Sequence, residues 1–558
     1  MHNMTEHLKQ ALDSAVRELA AEKNYPLPQN FVVKLERPRQ AGHGDWATNI
    51  AMQLAKPFGL KPRDLAAEII AKLPKGELIE KVETAGPGFM NFTLSANWIA
   101  ETIKTAIEKG PDYGRVNIGN GRRVQVEFVS ANPTGPLHMG HGRGAAVGDI
   151  TASLLDFAGY SVEREYYINN AGLQMELLGK SAQARYFEAL GRADEVPMPE
   201  DGYRGDYMID IAKTFVEKYG SSLAEKPLDE TLSFFSRETG KLVLEMIKKD
   251  LADFGVKFDV WFSEQTLYDQ NLIEPAMKAL RDRDYAYEDR GALWFRSTLF
   301  GDDKDRVLIR ANGIPTYFTS DVAYLKNKYD RGYEKLIYVW GADHHGYVPR
   351  LRSVNKAFGY PDDGIEVLLI QMVNLLRDGK PVQMSKRAGT IVTLREIMDE
   401  VGPDAARLFF VMRRCDSTVD FDLELAKKAS SENPVFYIQY AHARICSIMR
   451  ELKERNIAMP TMDELDVSLL TSDSEIKLAK AIARFPEEIK KAAEETAPHR
   501  IVYYAKALAE AFHAFYNSQR VLGVEEKLMK SRILLTEAAL VTLKNALKVL
   551  GVSAPEKM

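Results

Sequence analysis

At 558 residues the chain is long enough for three or four domains of roughly 100–200 residues each, so no single core need account for it. Hydrophobic residues at 45% and charged residues at 27% exclude a disordered chain, and no apolar run approaches the roughly 20 residues that cross a bilayer. A net charge of −5 excludes a globally basic nucleic-acid binder, so any RNA contact must come from local groups such as Arg413–Arg414 or Arg350 and Arg352.

The first hundred or so residues read as a compact α+β unit. A capped helix near Thr5–Ala21 leads to FVVKLERP, then a helix over Trp46–Lys56 and another over Pro62–Leu73. A strand-like MNFTLS follows the turn at Gly86–Gly88. The start of the chain lacks the basic, apolar and small-residue regions of a secretory signal, so a cytoplasmic protein is expected. GPDYGRVNIGNGRR, rich in Gly, Asn and Arg, reads as the linker that closes this unit.

Val124–Val129 then forms a short apolar strand, followed by a Pro/Gly loop, an apolar-periodic helix to Gly159 and a second strand at Val162–Ile168. Strand, loop, helix, strand is the opening of a doubly wound parallel α/β sheet. From about Gly172 to Asp289 the pattern is largely helical and polar, and sheet-like segments resume at GALWFRST, VLIRANG and KLIYVWGAD. After Thr393 apolar residues recur at three and four, as in IKLAKAIARF, predicting an all-α helical bundle. The expected division is therefore an N-terminal α+β domain over 1–115, a catalytic α/β domain over 116–395 split by a helical insertion at about 172–290, and a helical domain over 396–558. Two cysteines, Cys415 and Cys446, are too few for a four-thiolate zinc site and are expected as buried, reduced thiols; no protein-bound metal is expected.

The strand VQVEFV runs into SANPTGPLHMGHGRG and places His138 and His141 on the first turn of a helix at a strand's carboxyl end, where open α/β sheets bind ligands. A helix start offers free N–H groups and a positive dipole end to phosphates. Gly140 lets a nucleotide approach the backbone, and the imidazoles can donate to phosphate oxygens. Taken alone, such a turn is as well explained by surface histidines in a Gly-rich loop. A second segment, GKPVQMSKRAGT, puts Ser385, Lys386 and Gly389 in a glycine-flanked loop before a helix starting near Leu394, and a mobile lysine there can reach a pyrophosphate leaving group. In a third, KLIYVWGADHHGYVPRL, Gly341 and Asp343 end a strand, where Asp343 can accept from ribose hydroxyls or cap the next helix.

In this order the first two segments resemble the His-x-Gly-His and Lys-Met-Ser-Lys-Ser motifs of class I aminoacyl-tRNA synthetases. Gln383 and Arg387 depart from the second motif at its ends, while its second lysine is kept as Lys386. The resemblance is closest to the arginyl-tRNA synthetase family and covers nearly the whole chain: GDWATNIAMQLAK, GPGFMNFTLS, EFVSANPTGPLHMGHGRG, PTYFTSDVAY, GPDAARL as a variant of the Asp-Ala-Leu-Arg element, and the closing APEKM.

The resemblance implies a Rossmann-type catalytic fold and ATP-driven loading of L-arginine onto tRNA(Arg), with Mg2+ accompanying ATP. His138, His141 and Lys386 would be catalytic. ATP would meet Pro133, Thr134, Gly135, Pro136, His138, Gly140, His141, Gly341, Asp343, Met384, Ser385 and Lys386. Independently, a guanidinium needs planar, paired, charged acceptors. In the family a carboxylate one turn after a tyrosine takes that role, so the resemblance implies that Asp321, one turn after Tyr317, and Glu127 carry the discrimination, with Ser130 and Asn132 around the substrate ammonium. A site built this way rejects uncharged analogues without an editing domain.

The helical C-terminal domain would hold the anticodon loop, with Tyr437, Tyr440, Phe512, Phe515, Tyr516 and Asn517 as candidates for base contacts. The N-terminal domain would contact the tRNA elbow, and a monomer is expected. Two competitors stand beside this reading. A small nucleotidylyltransferase shares the histidine turn but needs neither terminal domain, and a binding-only paralogue would have lost a histidine, lysine or acid that this chain keeps.

Overall fold

A computed structural model of the chain describes residues 4–36, 38, 44–74, 79–95, 97–170, 172–382 and 392–558. In the N-terminal unit a three-stranded antiparallel sheet, in the order Trp46–Thr48, Phe89–Leu94, Ile79–Ala85, carries the helices Met4–Lys23, Ile50–Phe58 and Pro62–Lys72. One expectation fails here. Trp46–Thr48 is a strand, paired with Phe92, Asn91 and Met90, because all three of its residues are buried. The helix begins only after it, with Thr48 Oγ accepting from the Ile50 N–H at 3.3 Å. The described residues of FVVKLERP contribute the bridge Glu36–Ala47.

The catalytic unit is built on a five-stranded parallel sheet: β1 (Arg123–Phe128), β2 (Ser161–Ile168), β3 (Val260–Ser263), β4 (Lys335–Gly341) and β5 (Ile365–Ile370), in the order β5-β4-β1-β2-β3. Val124, Val126 and Phe128 alternate into the core, and helix α1 (Met139–Phe157) lies so close that a Cβ on Gly148 would overlap the Phe128 ring. Gly148 is therefore a packing glycine.

Three helices, Leu173–Ala189, Asp206–Tyr219 and Leu228–Asp253, fill the insertion and share a core of Tyr186, Phe215 and Phe235. The structure differs from the sequence reading after them. VWFS at Val260–Ser263 returns to the sheet as edge strand β3, too short a run to stand out among polar residues, with Trp261 stacked on Tyr166 at 4.5 Å. GALWFRST and VLIRANG do not join that sheet but form their own antiparallel one, Ala286–Asp289, Ala292–Phe295, Arg306–Ile309. Helix α2 (Tyr317–Asp330) then leads into β4.

Beyond Thr393 the chain is mostly helical, but Val419–Asp422 is a strand, parallel to Val373–Arg377. Helices α3 (Leu394–Val401) and α4 (Pro403–Val411) precede the bundle of α5 (Pro434–Glu454), α6 (His499–Ser518) and α7 (Glu526–Leu550) with shorter helices between them. The bundle also grips the linker: Asn545 Nδ2 donates to the carbonyls of Gly110 and Tyr113 at 2.8 and 2.9 Å, and Tyr113 Oη donates to that of Ile482. Cys415 and Cys446 form no disulfide; both are half-buried rather than buried as expected, and burial pushes the Cys415 thiol up to about 11.

Arg407, in GPDAARL, is fully buried in α4. It pairs with Asp149 of α1 at 2.5 Å and donates to the carbonyls of Leu550, at the end of α7, and Phe254, after the insertion. One guanidinium thus joins the catalytic helix, the insertion and the bundle. Replacing Arg407 with Met leaves these groups without their donor and should cost roughly 3–5 kcal/mol, read as a lower denaturation midpoint at unchanged net secondary structure.

Candidate active site

The chain leaves β1 for β2 and β3 on one side of the sheet and returns to β4 on the other side, so the loops after β1 and β4 diverge from neighbouring carboxyl ends. That crevice is where an open α/β sheet binds its ligand. The backbone leaves β1 sharply: Val129 and Ser130 have φ of 67° and 42°, an unfavourable pair for residues with side chains, and most so for β-branched Val129. The turn lets Ser130 Oγ accept from the Tyr167 N–H at 3.1 Å, while Asn132 donates to Gln174 and the Thr134 carbonyl accepts from Tyr207 Oη at 2.6 Å. Pro133 is buried and Gly135 and Pro136 half-buried in this loop, and a Cβ on Gly135 would stand 3.2 Å from Tyr207 Oη.

His138 is the N-cap of α1. Its Nδ1 accepts from the N–H groups of Gly140 (3.0 Å) and His141 (3.4 Å), and His141 Nδ1 accepts from the His138 N–H (3.3 Å). The two rings stack with centroids 3.7 Å apart. This reciprocal cap uses both Nδ1 lone pairs, so each neutral ring carries its proton on Nε2, a hydrogen-bond donor outside the cap. Burial and the neighbouring His138 push His141 down to about 3, so it is neutral at ordinary pH. Gly140 has a second role that the sequence did not suggest, for a Cβ there would lie 2.9 Å from His138 Cε1.

Met384, Ser385 and Lys386, with Gln383 and Arg387, lie outside the described residues. Their flanks are pinned to the histidine turn. The Leu394 N–H donates to the Leu137 carbonyl at 2.7 Å, and His138 bridges Thr393, which caps α3 together with Glu396. On the preceding side the Val382 N–H donates to the Leu375 carbonyl. Arg143, two residues beyond His141 and fully buried, donates to the carbonyls of Gln371, Arg414 and Ser417 at 2.6–2.9 Å. Gly341 ends β4, and the Asp343 carboxylate folds back to where a Cβ on Gly341 would be, exposed at the mouth of the crevice.

The acids meet on the other side of β1. Asp321 lies one turn into α2, accepts from Tyr347 Oη, and is pushed up to about 7, mainly by burial and further by Glu264 and Glu127. Tyr317 precedes it at the helix start, 61% exposed, its hydroxyl over Gly172. Glu127 is not the solvent-facing strand end that an isolated acid would be: it is buried and pairs with Lys328 at 2.5 Å. The structure adds Glu264, immediately after β3, buried and raised by desolvation, with an Oε2 that accepts no hydrogen bond from any described residue. Tyr167 lies close enough to feel Glu264, Asp321 and Glu127 together. Glu264, Tyr347 and Tyr167 had no sequence signal of their own.

Residues 102–447 match the family described as "tRNA synthetases class I (R), catalytic domain", residues 2–94 "Arginyl tRNA synthetase N terminal domain", and residues 438–558 "DALR anticodon binding domain". The chain is 50% identical to the arginine–tRNA ligase of Bacillus subtilis, with 100% of this chain and 99% of that one covered, and 49% identical to that of Caldanaerobacter subterraneus, with both covered in full. It belongs to the arginine–tRNA ligases. The solved arginyl-tRNA synthetases of Thermus thermophilus (TM-score 0.75, 23% identity, 99% of this chain and 100% of that one) and Plasmodium falciparum (0.75, 18%, 100% of each) share its fold. The class I sheet and helical C-terminal domain expected from the sequence are those of this family, and the nucleotidylyltransferase and binding-only readings fall away.

For an arginine–tRNA ligase the aromatic candidates need correction. Phe512 and Phe515 are wholly buried between helices, so neither can stack on a base. Tyr437 and Tyr440 are half-buried against His513. Tyr516 and Asn517 are exposed, and the Arg444 guanidinium lies over the rings of both Tyr440 (4.3 Å) and Tyr516 (4.8 Å).

The reciprocal cap depends on an empty Cβ position at Gly140. Gly140→Ala should displace the His138 ring and lower arginine-dependent pyrophosphate exchange by about 100-fold, the scale of a misplacement near 1 Å, with an unchanged unfolding midpoint. Exchange within about threefold of the parent would show that the cap does not position the ring for catalysis.

Proposed function

We propose that this arginine–tRNA ligase activates its substrate in the crevice between β1 and β4. Bound there, the arginine carboxylate oxygen attacks the α-phosphorus of ATP, the bond to the bridging oxygen breaks, and pyrophosphate leaves with the Mg2+ that entered as part of the substrate. The terminal adenosine hydroxyl of tRNA(Arg) then displaces AMP from the adenylate. Neutral Nε2–H groups of His138 and His141 donate to phosphate oxygens as charge develops, and Lys386 closes over the leaving group. Gly341 and Asp343 receive the ribose, and Pro133–Pro136 line the nucleotide's path.

The observation that carries the arginine assignment is the acid cluster. Buried carboxylates with an unpartnered oxygen and a raised Asp321 are unfavourable until a cation arrives. Because Oε2 of Glu127 is already paired with Lys328, Asp321 and Glu264, in place of the expected Asp321 and Glu127, would take the guanidinium, with Tyr317 beside it, while Glu127, Ser130 and Asn132 face the backbone end of the substrate. The Tyr440–Arg444–Tyr516 stack with Asn517 is the surface we assign to the anticodon loop, and the N-terminal domain would meet the tRNA elbow. We further propose a cytoplasmic monomer that requires bound tRNA before it activates arginine.

The test is pyrophosphate exchange into ATP with each of the twenty amino acids, with and without tRNA. Exchange with arginine alone, and only when tRNA is present, is expected; exchange without tRNA would refute the tRNA requirement. Glu264→Gln should raise the arginine KM about tenfold or more with the ATP KM little changed. A protonated Asp321 cannot hold the guanidinium, so the arginine KM should fall as pH rises through 7 and level off above it, changing by up to about tenfold per unit below. In Asp321→Asn this dependence should vanish, and a flat parent profile between about pH 6 and 8 would rule out titration of Asp321 in the pocket.

A further inference from the structure

Helix α2 carries one more charged group toward the acid cluster. Lys328, two turns beyond Asp321, has no exposed surface. Its Nζ stands 2.5 Å from Glu127 Oε2 and lies over the rings of Tyr324 and Tyr338, 4.4 and 4.2 Å from their centroids. An ammonium gripped by one carboxylate oxygen and two aromatic faces has little freedom to move. Both tyrosines are themselves held, Tyr324 donating to Glu165 and Tyr338 lying within the sheet, paired opposite Glu127 in β1.

The cluster therefore contains three acids and a resident cation. Glu264 and Glu127 both lie close enough to Asp321 to disfavour its charge. Without Lys328, Oε2 of Glu127 would lose the ion pair that fixes it, and the carboxylate would be free to turn away. With Lys328 in place, Oε2 is occupied and Oε1 stays outside the ion pair.

We propose that Lys328 is a positioning residue of the arginine pocket, an internal cation caged by Glu127, Tyr324 and Tyr338 that holds the Glu127 carboxylate turned so that Oε1 meets the incoming substrate cation. The proposal rests on the reading of these acids as the arginine site. Lys328 does not touch the substrate; it acts through Glu127.

A double-mutant cycle on the full chain, in arginine-dependent pyrophosphate exchange with saturating tRNA, tests it. Glu127→Gln and Lys328→Met should each raise the arginine KM about tenfold or more, with the ATP KM within about twofold of the parent. In Glu127→Gln/Lys328→Met the KM should match that of Glu127→Gln, because the lysine has lost the group through which it acts. An unchanged arginine KM in folded Lys328→Met, with Glu127→Gln impaired, overturns the proposal and leaves the pocket assignment standing. A double variant worse than Glu127→Gln overturns it too. An unchanged KM in Glu127→Gln means that Glu127 is no substrate ligand, and the fault then lies in the pocket reading itself. Should Lys328→Met fail to fold, the double variant against Glu127→Gln still decides, because it removes both charges together.

Discussion

The acid cluster proposed as the amino-acid pocket depends on how α2 is held against the sheet. One face of this helix carries Tyr317, Asp321, Tyr324, Lys328 and Arg331, spaced by three and four. Below Asp321 that face is tied to the strands by a buried ion pair, Lys328 to Glu127 of β1, and by a half-buried one at its C-cap, Arg331 to Glu165 of β2 with two contacts of 2.5 and 2.9 Å. Buried pairs contribute little net stability when complete, but losing one partner is costly, so they specify register. A shift of α2 by one turn would strand two cations and two carboxylates. Asp321 is placed by this constraint, since nothing within its own turn fixes where its carboxylate goes.

The nucleotide half of the site uses a different logic. The histidine turn is largely local: cap, rings and glycine lie within four residues and are joined by hydrogen bonds among themselves. Distant chain joins it through the Leu394 N–H on the Leu137 carbonyl and, one turn further along α1, through Arg143 on the Gln371 carbonyl.

This division explains what could be read in the sequence. The histidine turn and the Gly341–Asp343 turn could be picked out because their geometry is local, and the Tyr317–Asp321 pair by its one-turn helical spacing alone. Glu264 was not, because its strand is four residues long and becomes meaningful only at the sheet edge beside β2. Tyr347 and Lys328 were missed for the same reason, since their partners lie 26 and 201 residues away. Phe512 and Phe515 were misjudged because helical spacing of aromatics is the same for a buried face as for a binding face, and only the packing of neighbouring helices separates them. At Trp46–Thr48 three buried residues at a sheet edge outweighed a helical pattern that starts two residues later.

The grip of Asn545 on Gly110 and Tyr113 bears on how the chain is made. The contact to Gly110 spans 435 residues of sequence. At ribosomal rates of roughly 5–20 residues per second, the linker emerges some tens of seconds before its partner. During that interval the surface awaiting α7 is unpaired, and the N-terminal unit can be complete while its junction to the catalytic sheet is not. Truncation near the C-terminus would therefore damage the seam at residue 110 as well as the bundle, and holding the nascent linker apart from other polysomal chains becomes part of the protein's folding problem.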